Sequence, residues 1–376
     1  MSLNRRLLVA VSLVVVICFA GCPASAPPGT AGTNPPQKTS GKKRLIFLTN
    51  GDHPFWDTCN AGLMEGAKEF DVASKGYTVV MDKGNFQADG QIDKLRQYAT
   101  EEDVAAVAIS VVQADNKAII DEMNKLKKMG KKIITVDGDV NREKFRDART
   151  YYIGTDNAYA GGVLGTALKT LLEARDMKSG GYCQFAGFTD NDNARSRMDG
   201  VQKAMGEAYK ELDRKPDQGD PNIARDNTRT ALDNHGDKIN ALVGIWAYDG
   251  PAIADVVSER KLQDKIVVGT FDAAVDAIQK MQEGKIDVLC VQNPFDMGRQ
   301  SVKLMQAMCE GDEAVTKEMF PNAGEPEGDV FKTGLRVVVP SEKSPLTAEK
   351  FDTKIVEFMT LEQFQLWLKK YKLTCS

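Results

Sequence analysis

Residues 44–56, RLIFLTNGDHPFW, carry the pattern that decides the fold: an apolar run, Leu45 to Leu48, breaks off into polar Thr49-Asn50-Gly51-Asp52 and opens a helix-length segment. The pattern returns along the chain. Short apolar runs stand at Tyr77–Met81, Ala105–Val111, Lys132–Val136, Tyr151–Gly154, Tyr182–Phe185, Ala241–Ala247, Ile266–Thr270, Val288–Val291 and Leu335–Val339. Near-continuous apolar strands are what a parallel sheet covered on both faces requires. Between them, apolar residues recur at three- and four-residue spacing, as in Ile92, Leu95, Tyr98 and Ala99, or Ile119, Met123, Leu126 and Met129. That spacing gives a helix one buried face. Alternating strands and helices with short connections predict an α/β fold of doubly wound parallel sheets. So many strands crowd one open sheet and divide naturally into two lobes. Beyond Pro340, residues 350–370 carry Phe351, Ile355, Phe358, Phe364, Trp367 and Leu368 at amphipathic spacing, which predicts a helical tail.

The first residues read differently. Arg5 and Arg6 precede an apolar run, Leu7 to Ala20, which suits a secretory signal and is short for a membrane span. Phe19-Ala20-Gly21-Cys22 resembles the bacterial lipobox, in which the Cys is lipidated; Phe19 departs from the usual Leu. The plainer alternative is an ordinary cleaved signal with an incidental Cys22. Residues 23–43 are rich in Pro, Gly, Ala, Ser and Thr without apolar periodicity, as expected of a disordered tether. The 376 residues, 42% hydrophobic and 27% charged, fit two soluble domains. A net charge of −4 with no long basic run gives no field for nucleic acid. Apart from Cys18 and Cys22, five cysteines remain (Cys59, Cys183, Cys290, Cys309 and Cys375), an odd set without CxxC spacing. Cys183 and Cys290 lie in strand runs and read as packed apolar side chains.

Ligands of open α/β sheets bind beyond the carboxyl ends of the strands. Those ends are polar here: Asp52-His53, Asp137-Gly138-Asp139, Asp156-Asn157, Asp190 to Asn193, Tyr248-Asp249, Asp272 and Gln292-Asn293, bordered by Phe55, Trp56, Trp246 and Tyr248. Fixed donors and acceptors suit sugar hydroxyls, and aromatic rings suit the apolar face of a pyranose. Each position has a plainer role: Asp156 and Asp190 as helix caps, Phe55-Trp56 as core, Arg195 and Arg197 as solvated helix charges. Only two histidines, His53 and His235, exclude a His-rich metal site, and no GxSxG, HExxH, phosphate-loop or dinucleotide motif is present. The residues favour binding over catalysis, with no cofactor and no metal.

With these motifs in order, residues 44–340 resemble the ribose/galactose-type periplasmic sugar-binding proteins, the substrate-binding subunits of ABC sugar transporters. Thr49 to Trp56 is similar to the family's first strand and aromatic turn, and Asn60 to Ala67 to its first helix. Ile133 to Asp137 looks like a later strand and its Asp. Tyr152 to Asn157 with Gly161-Gly162 resembles the first crossover, and Ala194 to Gly200 the start of an Arg-bearing helix. Val267 to Asp272 and Val291 to Pro294 complete the set. The resemblance implies a type I periplasmic binding protein, two lobes joined by a three-crossing hinge near Thr155, Gln292 and Phe331. Residues 44–154 plus 293–330 would form the N-terminal lobe, 155–292 plus 331–340 the C-terminal lobe, and 341–376 the tail. It further implies an aromatic wall from Phe55 and Trp56, a hydroxyl acceptor in Asp137 and a donor in Arg197. Asp272, Gln292 and Tyr248 or Asp249 would complete a polar ring, with Thr49 and His53 beside it. Gly138 stands where ribose binders carry Arg, and Tyr248 where an amide is usual, which argues against ribose. The implied protein is a monomer, lipid-anchored outside the cytoplasm, that closes around a monosaccharide or small polyol and delivers it to an ABC transporter permease. A sensor presenting sugar to a membrane histidine kinase or chemoreceptor is the alternative.

Overall fold

The computed structural model describes residues 41–376; the signal segment, Cys22 and the tether as far as Ser40 lie outside them. In the N-terminal part the order is β1 (Lys43–Leu48), α1 (Pro54–Glu69), β2 (Tyr77–Asp82), α2 (Ala88–Thr100), β3 (Val104–Ile109), α3 (Lys117–Lys128), β4 (Lys132–Val136), α4 (Arg142–Phe145) and β5 (Tyr152–Gly154). There follow α5 (Asn157–Ala174), β6 (Gly180–Ala186), α6 (Asp192–Met205), β7 (Tyr209–Pro216), α7 (Pro221–His235), β8 (Ile239–Gly244), α8 (Asp249–Glu259), β9 (Val267–Phe271), α9 (Val275–Gln282) and β10 (Val288–Val291). The chain ends with α10 (Pro294–Glu310), α11 (Glu313–Met319), β11 (Val330–Lys332), β12 (Leu335–Val339), β13 (Val356–Thr360) and α12 (Leu361–Lys370).

Two sheets result. One is ordered β11-β5-β4-β3-β1-β2, the other β13-β12-β10-β9-β8-β6-β7. Strand alternation explains why each is covered on both faces. In β1, Leu45 and Phe47 face a core with α1 and α10 residues such as Leu63 and Met297, while Ile46 and Leu48 face another with Leu95 and Ile119 of α2 and α3. All four are 0% exposed, each burial contributing about 1.5–3 kcal/mol. The second sheet is layered the same way, against α5 and α6 on one face and α8, α9 and α12 on the other.

The chain passes between the sheets after β5, after β10 and between β11 and β12. These passages are tied together: Thr155 Oγ1 donates to Gln292 Oε1 at 2.9 Å, and Thr333 N–H donates to the Gly154 carbonyl at 2.8 Å.

The structure departs from the sequence reading at the margins. Strand β7, with its polar run Lys210-Glu211-Leu212-Asp213-Arg214-Lys215, escaped notice because it is an edge strand and half solvated. The segment expected to be all helix after residue 350 contains β13, which extends the second sheet beside β12. Phe351 and Phe358 stack there at 6.3 Å. Helix begins only at Leu361, behind a capping box of Thr360 and Gln363. The run Leu335–Val339 is antiparallel to β10, whereas the other paired strands are parallel. Val330–Lys332 pairs with β5, so the last passage falls after Lys332. Among the described residues the five cysteines are unpaired, and no helix is long and apolar enough to cross a membrane.

Candidate functional site

Asp137 and Asp272 hold matching places in the two lobes. Each directly follows the last residue of its strand, β4 or β9, and each has a left-handed backbone, with φ of 62° and 61°. Asp is among the few non-glycine residues that tolerate this region. Their N–H groups donate to the neighbouring strand, Asp137 to Ile153 and Asp272 to Cys290, both at 2.9 Å. The left-handed residue thus marks the end of each strand.

The two acids share one electrostatic neighbourhood with Arg197. Burial pushes Asp137 up to about 6; the Arg197 charge opposes that rise and the Asp272 charge adds to it. Among the described residues the Asp137 carboxylate accepts one long hydrogen bond, from Ser110 Oγ at 3.5 Å. Most of its acceptor capacity is therefore unused by hydrogen bonds among the described residues. Asp272 is more committed. It accepts from the Gln292 backbone at 3.2 Å and from Gln292 Nε2 at 3.0 Å, while Gln292 accepts from Thr155 in the hinge.

Arg197 is 3% exposed. Its Nε donates to Asn157 Oδ1 at 2.9 Å and its Nη1 to the Ile245 carbonyl at 3.2 Å. The guanidinium lies 4.5 Å over the Phe271 ring. The spacing that made two arginines ambiguous resolves in space: Arg195 is exposed and paired with Asp192, while Arg197 turns inward. Helices α5 and α6 meet closely enough for this because of Gly161, where any Cβ would collide with Arg197's own carbonyl.

Other expected residues serve as supports. Thr49 is fully buried, its hydroxyl donating to the Gly51 carbonyl at 2.7 Å and accepting from Gly84 N–H at 3.0 Å. Trp56 is 2% exposed in the core, its Nε1 donating to Asn50 Oδ1 at 3.0 Å, so it is not an open wall. Asp249 is fully buried and accepts from Trp246 N–H at 2.8 Å; it lies behind the site and holds the Trp246–Tyr248 turn. All three have polar atoms spent on, or sealed by, their own lobe. His53 is exposed and caps α1, accepting from Phe55 N–H. Phe55 is half-buried, edge-on to Trp56 at 4.9 Å. Asp156 caps α5 and pairs with Lys332 at 2.8 Å. Asp139 is committed to Arg142 and Arg149, each at 2.8 Å, so it does not join Asp137.

Several supports were missed by sequence reasoning. Gln91 on α2, fully buried, donates to the carbonyls of Thr49 at 3.1 Å and Ser110 at 2.6 Å, and accepts from Val112 N–H. It locks the ends of β1 and β3 together, and its signal was a polar residue on an apolar helix face. Asp217 is fully buried and accepts from the Tyr248 hydroxyl; it stayed hidden because β7 was unread. Burial, with Asp217 beside it, pushes Asp249 well above the usual carboxylate range. Burial and both acids also raise Tyr248, which keeps its hydroxyl a donor. At Gly138 a Cβ would stand 2.7 Å from the Val111 carbonyl, so the position beside Asp137 is closed to larger side chains.

Over residues 45–313 the sequence matches a family described as the periplasmic binding protein domain. No curated relative matches the chain. Among solved structures, an ABC transporter solute-binding protein from Burkholderia graminis, in complex with D-arabinose, superposes with a TM-score of 0.65 at 23% identity, covering 80% of this chain and 96% of that one. A glucose-galactose binding protein from Geobacillus stearothermophilus superposes with a TM-score of 0.63 at 22% identity, covering 80% and 98%. A chain of the XylFII–LytSN complex gives 0.58 at 22% identity, covering 72% and 94%. At such identities the likeness is one of fold.

Proposed function

The chain belongs to the periplasmic binding protein family, and from that premise we propose that it is the sugar-binding component of an ABC importer, closing its two lobes around a sugar ring. The observation that carries this reading is the meeting of Asp137 from one lobe with Arg197 and Asp272 from the other. A carboxylate with open acceptor capacity opposite an anchored guanidinium suits vicinal hydroxyls, which both donate and accept. Such a ligand touches both lobes only when they are closed, so its binding shifts the hinge population toward closure. Asp137, Arg197, Asp272 and Gln292 grip the ring, with Tyr248, Phe55 and His53 at its border. The role is binding and delivery rather than catalysis. Export through the signal segment and a lipid on Cys22 would hold the body at the outer face of the membrane, as a monomer working with a permease.

Thermal unfolding of residues 41–376 against pentoses, hexoses, polyols and purine nucleosides tests this. One sugar should stabilise the protein by about 2.7 kcal/mol at a hundredfold excess over its dissociation constant. A nucleoside as sole stabiliser, or no response to any sugar, would overturn the reading. The sensor alternative draws on the fold shared with a chain from a two-protein complex. It would replace the importer if sugar-loaded protein bound a kinase ectodomain and left permease activity unchanged.

A further inference from the structure

We infer that the mouth of the cleft carries an aromatic subsite for a second sugar ring, so that the ligand is a disaccharide or larger glycoside. This rests on the sugar reading above and extends it outward from Asp137 and Asp272.

Strand order fixes the direction. The hinge passages leave from β5 and β11 in one sheet and from β10 and β12 in the other, while β2 and β7 form the opposite edges. Moving away from the hinge, the second lobe presents Asp272 after β9, Trp246 and Tyr248 after β8, and Phe188 after β6. The first lobe presents Asp137 after β4 and, at its far edge, Phe86 after β2. With strands about 4.8 Å apart, Phe188 stands two strand spacings, roughly 10 Å, beyond Asp272. One pyranose gripped at Asp272 cannot also cover Phe188.

The aromatic groups at this edge are built in. Phe86 is 51% exposed although large and apolar. Its backbone is left-handed, with φ of 59°, a conformation unusual for a bulky residue. It is held there by its N–H donating to the Asn50 carbonyl at 2.8 Å. Its ring lies on Gly51, where any Cβ would collide with it. The opposite lip repeats the device: the Trp246 ring lies on Gly187, again in the space a Cβ would fill. Trp246 is fixed by Nε1 donating to Asn193 Oδ1 at 3.3 Å. Phe188, 49% exposed, stands edge-on to it at 6.1 Å, and Tyr248 follows at 6.4 Å, tethered through Asp217. A lone exposed apolar residue is ordinary. Phe86 seated on Gly51 in one lobe, and Phe188 beside Trp246 seated on Gly187 in the other, present apolar faces suited to the C–H face of a pyranose. Neighbouring Lys83, Asn85, Asp190 and Asn191 are exposed. Lys83 is paired with Asp52 and Asp57, and the Oδ1 atoms of Asn85 and Asn191 accept from nearby backbone N–H groups, so a second ring's hydroxyls would meet Asp190 and the two amide nitrogens.

The test is calorimetry on the wild-type protein, Phe86→Ala and Phe188→Ala. The probes are glucose, galactose, xylose and arabinose beside cellobiose, lactose, maltose and xylobiose. At least one disaccharide should bind tenfold or more tightly than its own monosaccharides. Each variant should weaken that disaccharide by about five- to tenfold, the scale of one aromatic contact, and leave monosaccharide binding within twofold. Monosaccharides binding as tightly as every disaccharide, or variants that leave the ratio unchanged, would overturn the subsite and spare the sugar reading. If none of the probes binds, the sugar reading fails and the subsite falls with it.

Discussion

Sugar affinity should fall between pH 7 and pH 5, and Asp137 should be the reason. Burial pushes its carboxyl up to about 6, so roughly nine-tenths is ionised at pH 7 and about one-tenth at pH 5. A hydroxyl donating to this carboxyl binds the ionised form, and at pH 5 the proton must leave first. The affinity then weakens by up to about tenfold, or 1.4 kcal/mol. The groups facing Asp137 are Arg197, Asp272, Ser110, Tyr152 and Cys59. Of these, burial raises Tyr152 and Cys59 away from this window, and a guanidinium does not titrate in it. Stability moves the opposite way. A folded-state value raised above the unfolded one is compatible with the fold at low pH and costs stability as pH rises through about 6. Asp137→Asn should therefore unfold at a higher temperature than wild type at pH 7, by a gain on the order of 1–3 kcal/mol, and at the same temperature below pH 4. Calorimetric titrations at pH 5 and 7 on both proteins decide the matter. Equal affinity at the two pH values, or a slope that survives in Asp137→Asn, would refute the reasoning.

Other consequences concern the hinge, the core and the tail. Arg197→Ala leaves Asp137 and the ligand without their cation and should weaken sugar binding by about 2–5 kcal/mol in the same calorimetry; unchanged affinity would remove Arg197 from the site. Arg149, with a fully buried side chain, bridges Asp139 and Asp329; Arg149→Met strands both acids and should cost about 3–5 kcal/mol in urea unfolding, against less than 1 if the network is idle. Despite burial, the Arg146 and Arg149 charges hold Asp329 down at about 2. Its stabilising share is thus complete above the ordinary carboxylate range and is lost as pH falls through about 2, a loss absent in Asp329→Asn. Trp367 packs on Phe295 and Phe364, under the buried Arg336 guanidinium at 4.1 Å. Trp367→Ala should cost about 3 kcal/mol of stability without changing sugar affinity at a temperature where the protein stays folded.

The buried strands were legible because a parallel sheet covered on both faces writes itself as apolar runs, as in Leu45 to Leu48. Strand β7 was not, since half of an edge strand meets water and Lys210 to Lys215 reads like a solvated loop. In residues 356–360 the apolar spacing fits strand and helix alike, and tertiary pairing with β12 decided between them. In the site, residue type and strand-end position pointed to Asp137, Asp272 and Gln292, and the family resemblance to Arg197 on its helix; the fold brings the four near one another. Sequence position could not say which way a side chain turns. Thr49 spends its hydroxyl on its own loop, Asp249 turns to Asp217, and Asp139, two residues from Asp137, is taken by arginines. Phe86 and Phe188 gave no signal at all, because an exposed aromatic in a loop has no periodicity.

A crystal structure of the protein with the sugar that most raises its unfolding temperature tests the central claim most directly. The account predicts one sugar ring between the lobes, its hydroxyls within hydrogen-bond distance of Asp137 on one side and of Arg197 and Asp272 on the other. Sugar bound outside the cleft, or within it but touching only one lobe, would contradict the account.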